Sequence, residues 1–474
     1  MIRLVTDIPA FFNDLCEVVR LFWGIVEISP DAGERTMIHR HAETDGKWIE
    51  QVSLDDQSFT YEAEAGGEDL ERKRRLKRAV KTACFLLMRK VTGVQPPWGS
   101  LTGIRPTRIM YELMAGGLSP AEAADTMAER YFVSPDKAGL LSDIIDMQRG
   151  LIDVRDDEFD LYIGIPFCVT RCAYCSFASG ELGDGTLVEP YLGALRRELE
   201  LCAAEMDSKG MKVRAAYMGG GTPTALTAPQ LSWLLGEAQR LFPGAREWTV
   251  EAGRPDTIDR DRLQALLDRG VGRISVNPQT FSDQTLMRIG RAHTARQTLD
   301  SYALARKMGF QDINMDLIAA LPGEDEADFM RSLRTTIELA PESVTVHTLA
   351  IKRSSRLYEQ GYVQAGAEAA ASMVSAAREA LRGAGYAPYY LYRQKYMAGN
   401  LENVGYCRPG KQCLYNIDNM EESTRVLACG AGAITKWLFP CEPHIRRVPN
   451  VRNIAQYIER VTEMTDRKIE LINS

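Results

Sequence analysis

Three cysteines crowd one short stretch, LYIGIPFCVTRCAYCSFASG at residues 161–180: Cys168, Cys172 and Cys175, spaced C-x-x-x-C-x-x-C behind an apolar run. Thiolates this close together are metal ligands before they are anything else in a reducing compartment. Structural zinc wants four ligands, commonly as two paired knuckles. Here no second knuckle follows, because Cys407 and Cys413 are too widely spaced and lie far downstream. Three thiolates suit a four-iron cluster better, since cysteine then holds three irons and leaves the fourth open to a ligand. The competing reading is a chance grouping of cysteines in a buried loop. The remaining cysteines, Cys16, Cys84, Cys202, Cys407, Cys413, Cys429 and Cys441, are scattered and read as small apolar residues or inert thiols.

A second polar set follows the cluster. YMGGGTPT carries three glycines, Gly219 to Gly221, behind an apolar run. Glycines let a ligand approach the backbone closely, but no Gly-Lys-Ser/Thr follows, so this is not a phosphate loop. Taken alone it reads equally well as a strand-end turn. Glu251, Gln279, Arg291 and Asp316 then recur near the ends of successive strand-like runs. Carboxylates suit ribose hydroxyls and a guanidinium fork suits a ligand carboxylate, although each residue singly is also an ordinary structural hydrogen bonder. His293 and His347 read as satisfied structural histidines and receive no catalytic role.

IPFC followed by C-x-x-x-C-A-Y-C, with MGGGTPT downstream, resembles the radical S-adenosylmethionine enzymes, specifically the oxygen-independent coproporphyrinogen III oxidase family. LTGIRPTRI, HTLAIKRSSRL and YRQKYMAGNLENVGY resemble its coproporphyrinogen-dehydrogenase-like branch with an extended N-terminal region. The resemblance implies a [4Fe-4S] cluster on Cys168, Cys172 and Cys175. It also implies S-adenosylmethionine held by Tyr162, Gly220, Gly221, Thr222, Glu251, Gln279, Arg291, Asp316, Ala350 and Ile434. The last two are equally core apolar positions.

In the implied reaction a reduced cluster cleaves S-adenosylmethionine to a 5′-deoxyadenosyl radical, and propionates of coproporphyrinogen III become the vinyls of protoporphyrinogen IX, a step of haem biosynthesis. The implied partners are coproporphyrinogen III or another tetrapyrrole, and a reduced flavodoxin- or ferredoxin-type electron donor. One position departs from the family pattern: Phe177 stands where characterised bacterial members carry a further cysteine. Relatives with phenylalanine there are thought to bind and deliver haem, so that alternative stands beside the oxidoreductase, as does a radical enzyme acting on haem itself.

These residues need a scaffold. LYIGIPF, AAYMGGG, EWTVEAG, RISVNPQ, DINMDLIAAL and SVTVHTLAI alternate with helical stretches such as PQLSWLLGEAQRLF and EADFMRSLRTTIELA. Six β-then-α units predict a parallel sheet rolled by right-handed crossovers, with the chemistry on the loops after the strands. The expected fold is α/β: a partial (β/α)6 TIM-type barrel over 156–360, an N-terminal accessory region over 1–155 and a C-terminal family-specific extension over 361–474. In the accessory region LFWGIVEIS, WIEQVSL and SFTYEAE read as strands, and DLERKRRLKRAVKTACFLLMRKVTG reads as a helix ending at Gly93 with a solvated basic face. Tyr389, Tyr390, Tyr392 and Tyr396 form either an aromatic wall for a flat macrocycle or a packed strand. Arg105, Arg108, Arg393, Lys395 and Arg446 are weak candidates for substrate propionates.

At 474 residues and 45% apolar content the chain exceeds the roughly 250–300 residues at which one core usually splits. A net charge of −7 argues against a nucleic-acid binder, which needs a basic footprint. No run approaches the ~20 apolar residues of a membrane span, and the start lacks the basic-then-apolar plan of a signal peptide, so the expectation is a cytoplasmic protein without stable membrane insertion.

Overall fold

The structure, a computed structural model, describes all residues other than 25, 104, 176–178, 353, 363–365, 396 and 440–444. It divides into two compact units, Met1–Asp143 with Arg393–Leu401, and Ile144–Tyr392 with Glu402–Ser474.

The first unit is built on a sheet of five strands, β1 (Ile2–Thr6), β2 (Ile28–Ser29), β3 (Arg35–Thr44), β4 (Lys47–Leu54) and β5 (Gln57–Glu64), in the order β2-β1-β3-β4-β5. Two helices, Phe12–Trp23 and Asp69–Thr92, share a core with it through Leu15, Val18, Val19, Val80, Ala83, Phe85 and Leu87. The second helix ends at left-handed Gly93, as its sequence indicates. LFWGIVEIS is not the expected strand: Leu21, Phe22 and Trp23 close the first helix and only Ile28–Ser29 pairs. The reason is the helical spacing of Leu15, Val18 and Val19, which one buried face satisfies and an alternating strand would not. Arg393 belongs to this unit, donating to the carbonyls of Leu101 at 2.8 Å and Gly103 at 3.3 Å with its guanidinium over Trp98.

The second unit carries the parallel strands β6 (Glu158–Ile165), β9 (Lys212–Gly220), β10 (Glu247–Val250), β11 (Arg273–Ser275), β12 (Ile313–Ala319) and β13 (Ser343–Thr348). Between the first two lie the short paired strands β7 (Phe167–Cys168) and β8 (Gly180–Glu181). The parallel strands pair in chain order, each with the next, which is the partial (β/α)6 barrel expected. Later segments extend the same sheet at both edges. Beyond β13 come β14 (Ala387–Tyr392) and β15 (Asn403–Cys407), and beside β6 come β16 (Arg425–Cys429), β17 (Ile434–Trp437) and β18 (Arg446–Pro449).

Strands covered by helices become near-continuous apolar runs, and Phe159, Leu161, Ile163 and Ile165 of β6 are fully buried. The crossover helices start sharply because Thr227 with Gln230, Thr294 with Gln297 and Asp325 with Asp328 form capping boxes. The helix Leu414–Glu421 packs at the amino ends of the strands. There Arg273 donates to Glu247 at 2.6 Å and to Asp312 at 3.0 Å, and also to the carbonyls of Lys411 and Gln412. Arg214 donates to Asp418 across 2.7 Å. A cavity of about 470 Å³ lined by Glu247, Arg273, Gln412 and Leu414 opens at this same end, opposite the strand ends that lead to Cys168. No helix among the described residues is long and apolar enough to cross a membrane.

Candidate functional site

The cysteines lie on the loop that leaves β6. Pro166 turns the chain into β7, whose last residue is Cys168, and β8 pairs back in parallel while Leu182 N donates to Cys168 O at 2.7 Å. Between them the loop is pinned from several sides. Ala173 N donates to Ile289 O at 2.8 Å, and Leu357 N donates to Ala173 O at 3.0 Å. Buried Arg254 donates to Thr170 O at 2.7 Å while its other nitrogens grip Asp256, and Arg171 donates to Ser354 O at 2.9 Å. Cys168 and Cys172 are buried and Cys175 is half-buried, with Cys175 N closing a turn on Cys172 O at 3.1 Å. Phe177 lies outside the described residues.

The three-glycine turn meets this loop directly. Gly221 N donates to Ile165 O and Thr222 N to Phe167 O, both at 2.7 Å, and the Thr222 hydroxyl reaches Cys168 Sγ at 3.6 Å. A Cβ on Gly221 would stand 2.6 Å from Phe167 O, and one on Gly219 would stand 2.8 Å from the Glu251 carboxyl carbon. Glycine is therefore required at Gly221 by close approach of backbone, and at Gly220 by its φ of +107°.

Around this turn the polar residues converge. Glu251 accepts the Tyr217 hydroxyl at 2.6 Å. Burial pushes its carboxyl up to about 7, with Tyr217 pulling it down and the neighbouring Asp316 charge pushing it up. For Asp316 burial works in the same direction, but His347, with Asn314 and Thr345, outweighs it and holds the carboxyl below its ordinary value. Asn314 donates to Asp316 at 2.7 Å, and His347 Nε2 stands 3.6 Å from Asp316 Oδ2.

Gln279 is buried at a positive φ of 64°, its amide donating to Asp316 O at 2.9 Å while its side-chain oxygen has no partner. Arg291 donates to the Tyr174 hydroxyl at 3.0 Å and to Gly253 O at 3.4 Å, and its Nε is unpartnered. It thereby ties the cysteine loop to the residues after Glu251. Beneath these groups Tyr162, Tyr217 and Tyr415 stack with interplanar angles of 16° to 22°.

Tyr162, Gly220, Gly221, Thr222, Glu251, Gln279, Arg291 and Asp316 thus share one end of the sheet. Ala350 is half-buried after β13, and Ile434 opens β17 at 42% exposure; neither takes part in this hydrogen-bonded network. Tyr389 and Tyr390 are packed core, their rings T-shaped at 4.8 Å, and Tyr396 lies outside the described residues. Arg108, Lys395 and Arg446 have partners within the chain, Glu112, Glu17 and Ser474.

Tyr217 and Asn277 carry no motif of their own in the sequence, and His347 reads there only as a satisfied structural histidine. Each falls on the lumen-facing phase of a strand or its extension, in step with Gly219, Gln279 and Thr345, so period-two alternation was the available signal. Asn277 accepts the Asp316 amide at 3.2 Å, and His347 Nδ1 stands 3.5 Å from the Tyr392 hydroxyl.

Comparison with known proteins gives this arrangement a family. Residues 162–336 match the Radical SAM superfamily. The chain is 40% identical over 418 residues to the oxygen-independent coproporphyrinogen-III oxidase-like protein HemZ of Bacillus subtilis, covering 85% of this chain and 83% of that one. It is 31% identical to the heme chaperone HemW of Escherichia coli, over 67% of this chain and 82% of the relative. The solved coproporphyrinogen III oxidase HemN from Escherichia coli has the same fold, with a TM-score of 0.54 and 23% identity over 68% of this chain and 72% of that one.

The family implies a [4Fe-4S] cluster and S-adenosylmethionine, and the residues suit both. Among the described residues no three His, Cys, Asp or Glu side chains stand together at metal-ligating separation. The donor chemistry fits nonetheless: three thiols on one pinned loop, with the Arg291 and Lys352 charges facing Cys172 and Cys175. The orphaned Gln279 oxygen and Arg291 Nε, beside two carboxylates and a cradle that a Cβ would fill, fit a polar ligand carrying an amino acid and a ribose. The chain belongs to the oxygen-independent coproporphyrinogen III oxidase-like family of radical S-adenosylmethionine proteins.

Proposed function

We propose that the protein is an oxygen-independent coproporphyrinogen III dehydrogenase, converting two propionates to vinyls and giving protoporphyrinogen IX. When bound, the cluster and S-adenosylmethionine supply a 5′-deoxyadenosyl radical at the carboxyl ends of the strands. Cys168, Cys172 and Cys175 hold the cluster. Gly220, Gly221 and Thr222 offer backbone to the ligand's amino acid part, Arg291 turns toward its carboxylate, and Glu251, Gln279 and Asp316 accept from its donor groups. Tyr162, Ala350 and Ile434 complete the proposed contact set. The stacked rings of Tyr162, Tyr217 and Tyr415 would give this ligand an apolar, water-poor floor. One-electron reduction comes from a flavodoxin- or ferredoxin-type donor.

The observation that carries this reading is the join between Thr222 and Cys168, because one residue there serves both the glycine turn and the first cysteine. The testing experiment is anaerobic reconstitution with iron and sulfide, reduction with dithionite, and chromatography of reactions with coproporphyrinogen III. Deoxyadenosine stimulated by coproporphyrinogen, together with vinyl product, is expected. Deoxyadenosine that coproporphyrinogen fails to stimulate, with no vinyl product, contradicts the reading.

A second reading, haem binding and delivery, is favoured by Phe177 and by the likeness to the heme chaperone. It predicts stoichiometric haem binding and little deoxyadenosine in the same reactions.

A further inference from the structure

Three of the exposed large apolar side chains belong to the cysteine loop or to segments hydrogen-bonded to it. Val169, the residue after Cys168, is 43% exposed, Met287 is 73% exposed and Tyr358 is 44% exposed. Met287 sits on the helix Asp283–Arg288, which leads into Ile289, the acceptor for Ala173 N. Tyr358 sits on the helix Arg356–Glu359, whose Leu357 N donates to Ala173 O. Isolated apolar residues on a surface need no explanation, but three around one loop form a patch that does.

The charge around this patch is predominantly basic. Arg171 lies in the loop, Arg288 is next to Met287, and Lys352 and Arg356 flank Ser354, whose carbonyl Arg171 holds at 2.9 Å. Against these four stand Glu181, paired with Arg356 at 3.1 Å, the exposed Glu359, and the exposed Asp283 one turn before Met287. The chain as a whole is acidic, with a net charge of −7, so a locally basic surface here runs against the average. Lys352 is half-buried, and its charge faces Cys175. Apolar centre and basic rim thus lie on the cysteine loop and on the segments hydrogen-bonded to it.

We propose that Val169, Met287 and Tyr358, rimmed by Arg171, Arg288, Lys352 and Arg356, form the docking surface for a small acidic one-electron carrier protein. The proposal rests on the cluster assignment above and adds where its electron enters. The carrier loses one electron and the protein's cluster gains one; no bond is made or broken at the surface and no proton moves. Redox encounters of this kind use small interfaces and are steered by complementary charge, so binding weakens as salt rises.

The test uses the full-length reconstituted protein and an oxidised bacterial flavodoxin, with flavin fluorescence reporting binding and deoxyadenosine reporting electron delivery. Met287→Asp, Tyr358→Asp and Arg356→Glu are each expected to weaken flavodoxin binding by about tenfold, while Trp233→Asp, on a helix that makes none of these contacts, leaves it unchanged. Deoxyadenosine driven by reduced flavodoxin falls in the three variants, and deoxyadenosine driven by dithionite stays at the wild-type level, which also shows that they fold. Wild-type binding that is insensitive to salt, or variants that bind flavodoxin as the wild type does, would overturn the docking surface. If dithionite yields no deoxyadenosine even from the wild type, the enzymatic reading fails, and the binding titration still decides the surface.

Discussion

Tyr217 donates its hydroxyl to the Glu251 carboxylate across 2.6 Å, and this bond opposes the effect of burial on that acid. Burial pushes Glu251 up to about 7, so the carboxyl changes charge near neutral pH, and the Tyr217 bond is the largest of the effects that hold it down, with the Gly220 amide and His347 adding to it. With Glu251 as an acceptor for S-adenosylmethionine, ligand affinity rises as pH increases through about 7. Tyr217→Phe removes the bond to the charged form and moves the midpoint of that rise upward by about one pH unit. Glu251→Gln abolishes the rise. Equilibrium binding of S-adenosylmethionine across pH checks both, and a profile that Tyr217→Phe leaves in place contradicts the assignment.

The same shift has a consequence for stability. A carboxyl whose folded pKa lies above its unfolded value binds its proton more tightly in the native state, so its contribution is full below the unfolded pKa and is lost as pH rises through the folded one. Replacing Glu251 by Gln should therefore flatten the fall in melting temperature between about pH 5 and about pH 8. Thermal unfolding of the two proteins side by side measures this, and parallel pH curves refute it.

Gly221 has no room for a side chain, since a Cβ would stand 2.6 Å from Phe167 O and 2.8 Å from Ile165 O, both backbone atoms. Gly221→Ala must displace the strand that leads into Cys168, at a cost of about 1–3 kcal/mol and with loss of S-adenosylmethionine binding. Gly193→Ala is the contrast. It lies in the helix Val188–Ser208 with open space around it, and gains about 0.4–1 kcal/mol. Chemical denaturation of both variants distinguishes a packing effect from a general intolerance of substitution.

Much of this site is legible in the sequence, because local chemistry and strand phase carry it. Glu251, Gln279 and Asp316 recur at the ends of successive apolar runs, and the parallel pairing of those runs brings them to one end. His347 reads in the sequence as a structural histidine, because a single histidine announces nothing more until β12 and β13 pair in register, placing it beside Ile318 and near Asp316. LFWGIVEIS looks like a strand because Phe22 and Trp23 are strand-like residues, and only the packing of the helix Phe12–Trp23 that they end decides otherwise. The return of Arg393–Leu401 to the first unit is a long-range contact, written in the hydrogen bonds of Arg393 and in no local pattern.

One buried ion pair outside the site is equally non-local. Lys468 of the C-terminal helix Ile454–Asn473 and Glu198 of the helix Val188–Ser208 are both fully buried and paired. Tyr457 donates to Glu198 at 2.6 Å, and Gly430 N donates to it at 2.7 Å. Lys468→Ala leaves Glu198 as an uncompensated charge and should destabilise the protein by about 3–5 kcal/mol, whereas Lys468→Met with Glu198→Gln, which removes both charges and keeps an acceptor for the buried donors, is milder. Denaturant titrations of the single and paired variants test the coupling, and equal losses in both would contradict it.

The central claim is that a radical formed at these strand ends takes hydrogen from a propionate side chain. The direct measurement is an anaerobic, dithionite-reduced reaction with coproporphyrinogen III deuterated on its propionates, followed by mass spectrometry of the deoxyadenosine. The account predicts deuterium in the deoxyadenosine and vinyl product from the wild type, and neither from Cys172→Ala. Deoxyadenosine free of deuterium, with the macrocycle recovered intact, would contradict it.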